Sequence, residues 1–94
     1  MGENERTVWD GLKNERNIDR HGIDFTDLDE AFDGRFSFTR EDRRRDYGEQ
    51  RFNMLVMVNG LVLNITFTPR GGKQRIVSAR PASRRERKVY DAQR

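Results

Sequence analysis

Residues 51–68, RFNMLVMVNGLVLNITFT, decide the fold. Two largely apolar segments, 51–58 and 61–68, flank the dipeptide Asn59-Gly60. Asn-Gly suits the positive φ angles of both central residues in a type I′ turn, and such a turn joins two antiparallel strands. The sequence therefore predicts a β-hairpin at this position.

The second arm of the hairpin alternates between apolar and mixed positions. Successive side chains of a strand point to opposite faces of the sheet, so the alternation separates two faces. One face carries Leu61, Leu63, Ile65 and Phe67, and the other carries Val62, Asn64, Thr66 and Thr68. We expect the first face to pack on helices and the second to be partly wet, which would make it a possible binding surface.

Two helices are predicted before the hairpin. The first spans residues 10–21, because Asp10 is a good N-cap and Gly22 is a typical left-handed stop. The second, shorter helix begins at Thr26, which would cap it, and ends near Asp33-Gly34.

Two further strands and a third helix complete the prediction. Residues 36–39 alternate as a short strand, and residues 74–79 form a last strand. Ser83-Arg84-Arg85-Glu86 has the form of a capping box, which predicts a C-terminal helix. The predicted fold is one α+β domain over residues 1–94, with two N-terminal helices, a four-stranded, mainly antiparallel sheet and a C-terminal helix.

Composition limits the classes of function. Only 33% of the residues are hydrophobic and the mean hydropathy is −1.05, which predicts a thin core that a partner protein would help to cover. The absence of cysteine and the single His21 argue against a disulfide framework or a catalytic metal, so no cofactor is expected. No signal peptide or membrane-spanning segment is recognisable, and a cytoplasmic protein is expected.

Charge is divided between the two parts of the chain. Residues 1–68 carry ten basic and fourteen acidic side chains, net −4, whereas residues 69–94 carry nine basic and two acidic ones, net +7. Sixteen of the nineteen basic residues are arginines, whose planar guanidinium binds phosphate through paired hydrogen bonds. The division favours a nucleic-acid partner, with an ordinary solvated basic surface as the alternative.

Basic residues also lie where the dipole of the C-terminal helix disfavours them. Arg84, Arg85, Arg87 and Lys88 fall in its first two turns, at the positive end. RNA phosphate bound by Arg84, Arg85 and Lys88 would explain this placement better than stability does, although local pairing with acidic residues leaves a solvated surface possible. Arg80 ends a predicted strand and reaches solvent, which suits a phosphate ligand.

Catalytic candidates are few. Cleavage of RNA by its own 2′-hydroxyl needs a base, an acid and a group that stabilises the charged phosphorane. His21 is the residue type that exchanges protons near neutral pH, although a histidine at a helix C-terminus often only caps carbonyl groups. Glu49 and Arg51 share a strand face and are either a base beside a phosphate ligand or a charge pair that keeps an edge strand soluble.

One side of the first helix is polar. Lys13, Asn17, Arg20 and His21 are spaced at i, i+4, i+7 and i+8, so they lie on the same side of the helix. This side is a candidate RNA-binding surface, with an ordinary solvated surface as the alternative.

Three stretches of the sequence resemble the BrnT family of bacterial toxins. They are the opening from Trp9 to Phe25, the segment Glu49-x-Arg51-Phe52 and, above all, the stretch from Arg75 to Tyr90. The run Arg43-Arg44-Arg45 and the residue Gln50 depart from the family's pattern.

This resemblance implies a fold, an activity and a partner. The implied protein has a RelE-like fold and is a metal-independent endoribonuclease that cleaves RNA and inhibits translation. Its implied partner is a BrnA-like antitoxin whose ribbon-helix-helix domain binds operator DNA. Within the matching stretches, the candidate active-site positions are His21, Glu49, Arg51 and Arg80. The alternative is a nucleic-acid-binding or adaptor domain without catalysis, since every basic feature would serve binding alone.

Overall fold

Six strands, two α-helices and two 3₁₀ turns form the structure, a computed structural model that describes residues 1–94. In chain order they are β1 (Gly2–Glu3), β2 (Thr7–Trp9), α1 (Gly11–His21), the 3₁₀ turns Phe25–Asp27 and Asp29–Phe32, β3 (Ser37–Glu41), β4 (Phe52–Val58), β5 (Leu61–Arg70), β6 (Lys73–Pro81) and α2 (Arg84–Gln93). Neither α-helix is long and apolar enough to cross a lipid bilayer.

All six strands belong to one sheet in the order β1-β2-β6-β5-β4-β3. Neighbouring strands are antiparallel except β2 and β6, which run parallel. The predicted four-stranded, mainly antiparallel sheet is therefore wrong, because the sheet is six-stranded and mixed. β1 and β2 contain two and three residues, which is too short for an alternating pattern to reveal them.

The second N-terminal helix is also a wrong prediction, because the chain forms the two 3₁₀ turns in its place. Asp24 caps the first turn by accepting a hydrogen bond from the Thr26 amide at 2.9 Å. Asp29 accepts from the Arg6 amide at 2.8 Å and from the Thr7 hydroxyl at 3.1 Å. These contacts with the segment around β2 hold the chain in short turns, and they override its local preference for a helix.

The hairpin is confirmed. Asn59 and Gly60 have φ angles of 51° and 78°, as a type I′ turn requires. Pairing of β4 with β5 runs without a break from Val58 opposite Leu61 to Phe52 opposite Phe67. Leu61 itself is 45% exposed, so the expected apolar face begins at the residues that follow it.

Both α-helices are confirmed together with their caps. Asp10 accepts a hydrogen bond from the Lys13 amide at 3.0 Å, and Gly22 ends α1 with a φ of 71°. Ser83 and Glu86 form the predicted capping box at the start of α2. The capping box fixes where α2 begins, with two residues separating it from the end of β6.

The sheet has a core on each face. The larger core packs the 3₁₀ turns on the sheet, and its most deeply buried residues are Phe25, Leu28, Val56, Ile65, Ile76 and Ala79. The smaller core lies under α2 and consists of Leu55, Val62, Ala82 and Tyr90. Phe38, Met57 and Val89 pack against it, whereas Asn53, Asn64, Thr66 and Ser78 of the central strands are polar, so a polar depression is left beside α2.

Candidate anion-binding site

A β-bulge in β6 decides which face of the sheet Arg80 occupies. The pairing register shifts between Thr66 and Phe67 of β5, so Val77 of β6 is an extra residue without a partner. Ile76, just before the bulge, belongs to the larger core. Strict alternation from Ile76 would send Arg80 into that core, whereas the extra residue moves it to the opposite face.

Arg80 is held by the carboxylate of Glu86. Its Nη1 and Nη2 donate to Glu86 Oε1 and Oε2 at 2.8 and 2.9 Å, and Nη1 also donates to the Pro81 carbonyl at 3.3 Å. A guanidinium has five N–H groups, and here the Nε–H and one N–H of Nη2 have no partner within the protein. The edge that joins Nε and Nη2 therefore remains open on a side chain that is 43% exposed.

Glu86 connects Arg80 to the rest of this face. Its carboxylate also accepts from the Ser83 amide at 2.9 Å and from Nδ2 of Asn64 at 2.8 Å. The bond from Arg80, followed by those from Ser83 and Asn64, lowers the pKa of Glu86 to about 2 against the opposing effect of burial. The capping-box motif locates Glu86 in the sequence, but nothing in the motif indicates that it also binds Arg80.

Arg80 and Glu86 form part of a cavity that no apolar side chain lines. The other lining residues come from the three central strands and the connection between β3 and β4, and they are Arg44, Asn53, Asn64, Thr66 and Ser78. We call this depression the Arg80 cavity. Glu86 balances the charge of Arg80 and Asp42 balances that of Arg44, so what the cavity offers a phosphate-like anion is the guanidinium N–H groups that stay open.

A basic groove along α1 meets the Arg80 cavity. Its lining residues are Lys13, Arg16, Asn17, Arg20, His21, Val77 and Ser78. Because Ser78 lines both depressions, the groove and the cavity are contiguous at that residue. The structure thus places the predicted site residues Lys13, Arg20 and His21 in a groove that shares Ser78 with the Arg80 cavity, and it adds Arg16, which the helical spacing of Lys13 and Arg20 could have indicated.

Asn17 has a structural position in this groove. Its side chain is buried, donates from Nδ2 to the carbonyl oxygens of Ala79 (2.8 Å) and Ile23 (3.0 Å), and accepts from the Ala79 amide at 3.1 Å. Both polar atoms of Asn17 are therefore engaged with backbone. With both N–H groups of its amide used in this way, Asn17 anchors α1 to the end of β6.

Glu49 and Arg51 contact each other, but the expectation that they share a strand face is wrong, because both lie in the connection before β4, and they lie apart from the Arg80 cavity. Glu49 Oε2 accepts from Arg51 Nε at 3.1 Å, and the Arg51 guanidinium lies 4.3 Å from the centre of the Tyr47 ring. Neither residue lines the Arg80 cavity or the α1 groove. No group of three His, Cys, Asp or Glu side chains in the chain is arranged to hold a metal ion.

The predicted basic residues of α2 are separated by the structure. Arg85 lines a larger cavity that shares Arg44, Asn53, Asn64 and Glu86 with the Arg80 cavity. Arg84 and Lys88 are exposed and line neither cavity. Among the three, Arg85 is the residue that the fold places beside the site.

An open guanidinium edge in a polar cavity on a sheet face is an arrangement that can bind a phosphate-like anion. Comparison with known families then gives a specific answer. Residues 9–86 match the family described as ribonuclease toxin, BrnT, of type II toxin-antitoxin systems, and the chain belongs to this family. It is therefore a ribonuclease toxin with an antitoxin as its partner. No curated protein sequence matches the chain.

Proposed function

We propose that this toxin is a metal-independent endoribonuclease that cleaves RNA and thereby inhibits translation. The observation that carries the proposal is the guanidinium of Arg80, which Glu86 holds in place while its Nε edge stays open. A guanidinium binds two phosphate oxygens through parallel hydrogen bonds and stabilises the charge that develops on a phosphorane. This geometry supports Arg80 as the ligand of the scissile phosphate.

His21 is our candidate for proton transfer, because it lines the groove that meets the Arg80 cavity at Ser78. In the proposed reaction a base removes the proton of the 2′-hydroxyl, and this oxygen then bonds to phosphorus. The bond between phosphorus and O5′ breaks as O5′ receives a proton, which leaves a 2′,3′-cyclic phosphate and a 5′-hydroxyl. An imidazole can perform either transfer. The resemblance also implies Glu49 as a base, but its carboxylate is paired with Arg51 outside both depressions, so His21 is the better supported candidate.

The α1 groove and the side of α2 are proposed to hold the RNA on either side of the scissile phosphate. Lys13, Arg16 and Arg20 supply positive charge on one side, and Arg85 supplies it on the other. A single strand can follow such a path because its backbone bends more readily than that of a duplex. Binding should weaken as salt rises, because each phosphate contact releases a counterion.

We propose a BrnA-like antitoxin as the partner, with a ribbon-helix-helix domain that binds operator DNA, and the cytoplasm as the compartment of both proteins. Large apolar side chains on the surface support a protein partner: Leu12, Leu61, Phe36 and Ile18 are 55%, 45%, 41% and 39% exposed. Covering such side chains would offset the small hydrophobic content of the chain, which is 33%.

The test uses the purified toxin, free of antitoxin, and a single-stranded RNA in buffer that contains EDTA. We expect cleavage with cyclic phosphate ends, and we expect Arg80→Ala to lower the cleavage rate by about 10²-fold or more. Arg84→Ala is the matched control, because it removes the same charge from an exposed position outside both cavities. Circular dichroism would verify that both variants are folded.

Two results would contradict the proposal. RNA that is bound with a steep salt dependence but stays intact would support the non-catalytic adaptor. Activity that is absent in EDTA and restored by a divalent ion would overturn the metal-independent mechanism.

A further inference from the structure

A second arginine lines the same cavity as Arg80. Arg44 belongs to the connection between β3 and β4, and its side chain is 77% exposed. We propose that Arg44 is a second phosphate ligand of the RNA site and that the buried carboxylate of Asp42 positions it. This inference rests on the proposed RNA site around Arg80.

Asp42 is an unusually buried carboxylate for a surface connection, with its side chain only 2% exposed. Nε and Nη2 of Arg44 donate to its Oδ1 and Oδ2 at 2.9 and 2.8 Å. The Tyr47 hydroxyl donates to Oδ2 at 3.1 Å, and the Arg44 amide donates to Oδ1 at 3.2 Å. These bonds, that from the Arg44 side chain first, hold the pKa of Asp42 well below its usual range.

The backbone fixes this pair to the sheet. The Asp42 amide donates to the Arg51 carbonyl at 2.7 Å, just before β4 begins. An exposed arginine usually samples many rotamers, and ordering it costs conformational entropy. Asp42 is fixed by the fold and binds two nitrogens of Arg44, so the guanidinium is already ordered in the free protein. Ligand binding therefore loses less conformational entropy.

Arg44 and Arg80 leave different edges open. Arg44 uses its Nε and Nη2 edge for Asp42, which leaves both hydrogens of Nη1 and one of Nη2 without a partner. Arg80 uses its Nη1 and Nη2 edge for Glu86, which leaves the Nε side open. A phosphate has several acceptor oxygens, so the two guanidiniums can bind different oxygens of one group or of neighbouring groups.

The two guanidinium groups of the cavity also act on each other. The hydrogen bond to Glu86 raises the pKa of Arg80, whereas the positive charge of Arg44 acts in the opposite direction. Both side chains are partly in solvent, which weakens this repulsion but does not remove it. Each charge is balanced by a carboxylate, Arg80 by Glu86 and Arg44 by Asp42, so a bound phosphate would gain chiefly from the open N–H groups of the two side chains.

Arg45, within the run Arg43-Arg44-Arg45, is a control residue for Arg44. Arg45 lies 5.9 Å from the centre of the Tyr47 ring and does not line the Arg80 cavity. Arg44→Ala and Arg45→Ala therefore remove equal charges at adjacent positions, and only the first removes a group from the cavity. A general effect of charge would be the same in both variants.

The experiment measures binding of a fluorescent single-stranded RNA as a function of salt and the single-turnover rate of its cleavage. Arg44→Ala should lower the slope of log affinity against log salt by about 0.7, the value for one phosphate contact on a single strand. It should also slow cleavage by about 10-fold or more, whereas Arg45→Ala should leave the cleavage rate near that of the parent protein. Arg44→Lys keeps the charge but not the planar fork, so binding should be retained better than cleavage.

Asp42 has a separate test as a positioning residue. Asp42→Asn should slow cleavage about as much as Arg44→Ala, and the double variant should be no slower than Arg44→Ala, since both changes remove the same function. Additive losses in the double variant would overturn the positioning role. If Arg44→Ala behaves like Arg45→Ala while Arg80→Ala is inactive, Arg44 is not a ligand although the RNA site stands. If Arg80→Ala retains full activity, the proposed function fails as well.

Discussion

Glu86 and Arg80 are joined end to end, with both carboxylate oxygens accepting from the two terminal nitrogens of the guanidinium at 2.8 and 2.9 Å. The same carboxylate accepts from the Ser83 amide and so caps α2. The Glu86 carboxylate therefore links the end of β6 to the first turn of α2. A change that disturbs the helix start will also disturb the proposed phosphate ligand.

Glu86→Gln should reduce the loss of stability in acid. The pKa of Glu86 is about 2 in the folded protein and 4.5 ordinarily, so its ionised form stabilises the fold above the ordinary value. That contribution is lost as the pH falls from about 4.5 towards about 2. Urea unfolding at about pH 6 and about pH 3 should show a smaller difference in the variant than in the parent protein.

Glu15→Gln is a suitable control for this measurement, because Glu15 is exposed on α1. It removes the same charge from a side chain that makes no ion pair, and so gives the baseline against which Glu86→Gln is compared. If Glu86→Gln and Glu15→Gln gave the same pH dependence, the pair with Arg80 would contribute nothing to stability.

Asn17→Ala should destabilise the fold. The Asn17 amide hydrogen-bonds to both backbone groups of Ala79, at 2.8 and 3.1 Å, and so continues the edge of β6 beyond the point where β2 ends. Its removal leaves a buried N–H and C=O without partners, which costs about 1–3 kcal/mol of unfolding free energy. Urea denaturation would measure this loss.

The matched substitution is Arg20→Ala, one turn further along α1 and exposed. We expect it to change the unfolding free energy by no more than about 0.5 kcal/mol. An Asn17→Ala variant as stable as Arg20→Ala would show that water satisfies the Ala79 backbone equally well.

Arg85→Ala and Arg84→Ala should differ in their effect on RNA binding. Arg85 lines the cavity that adjoins Arg80, whereas Arg84 lies outside it. Arg85→Ala should therefore lower the salt slope of RNA affinity by about 0.7, and Arg84→Ala should lower it less. The measurement is a titration of labelled RNA at several salt concentrations. Equal slopes for the two variants would indicate that α2 contributes only its overall charge.

Local signals account for the parts of the fold that the sequence predicts. The turn at Asn59-Gly60 and the caps at Asp10 and Ser83 involve residues close together in the chain, so their patterns are visible in the sequence. The elements that were predicted wrongly depend on partners that are distant in the sequence. β2 is too short to show a period and depends on pairing with β6, and the 3₁₀ turns depend on bonds from Asp29 to the segment around β2.

The candidate site, too, could be predicted only in part from local signals in the sequence. Residue type and position singled out Arg80 and His21, and the structure brings them to contiguous depressions, although their roles remain predictions. Glu86 and Arg44 could not be connected with Arg80 from the sequence, because their contacts depend on how α2 and the β3–β4 connection fold onto the sheet. The helical spacing predicted Asn17 as an RNA-binding residue, because spacing alone does not reveal a hydrogen bond to a distant strand.

Because Val77 is unpaired, the number of residues between Ile76 and Arg80 decides which face of the sheet Arg80 occupies, as much as the identity of those residues does. Loss or gain of one residue in this interval would exchange the core-facing and solvent-facing positions, even if every remaining side chain were kept. Within the lineage, we therefore expect substitutions at Val77 to be tolerated and insertions or deletions there to be eliminated by selection. An alignment of relatives that opens a gap between Ile76 and Arg80 would assign the arginine to the wrong face of the sheet.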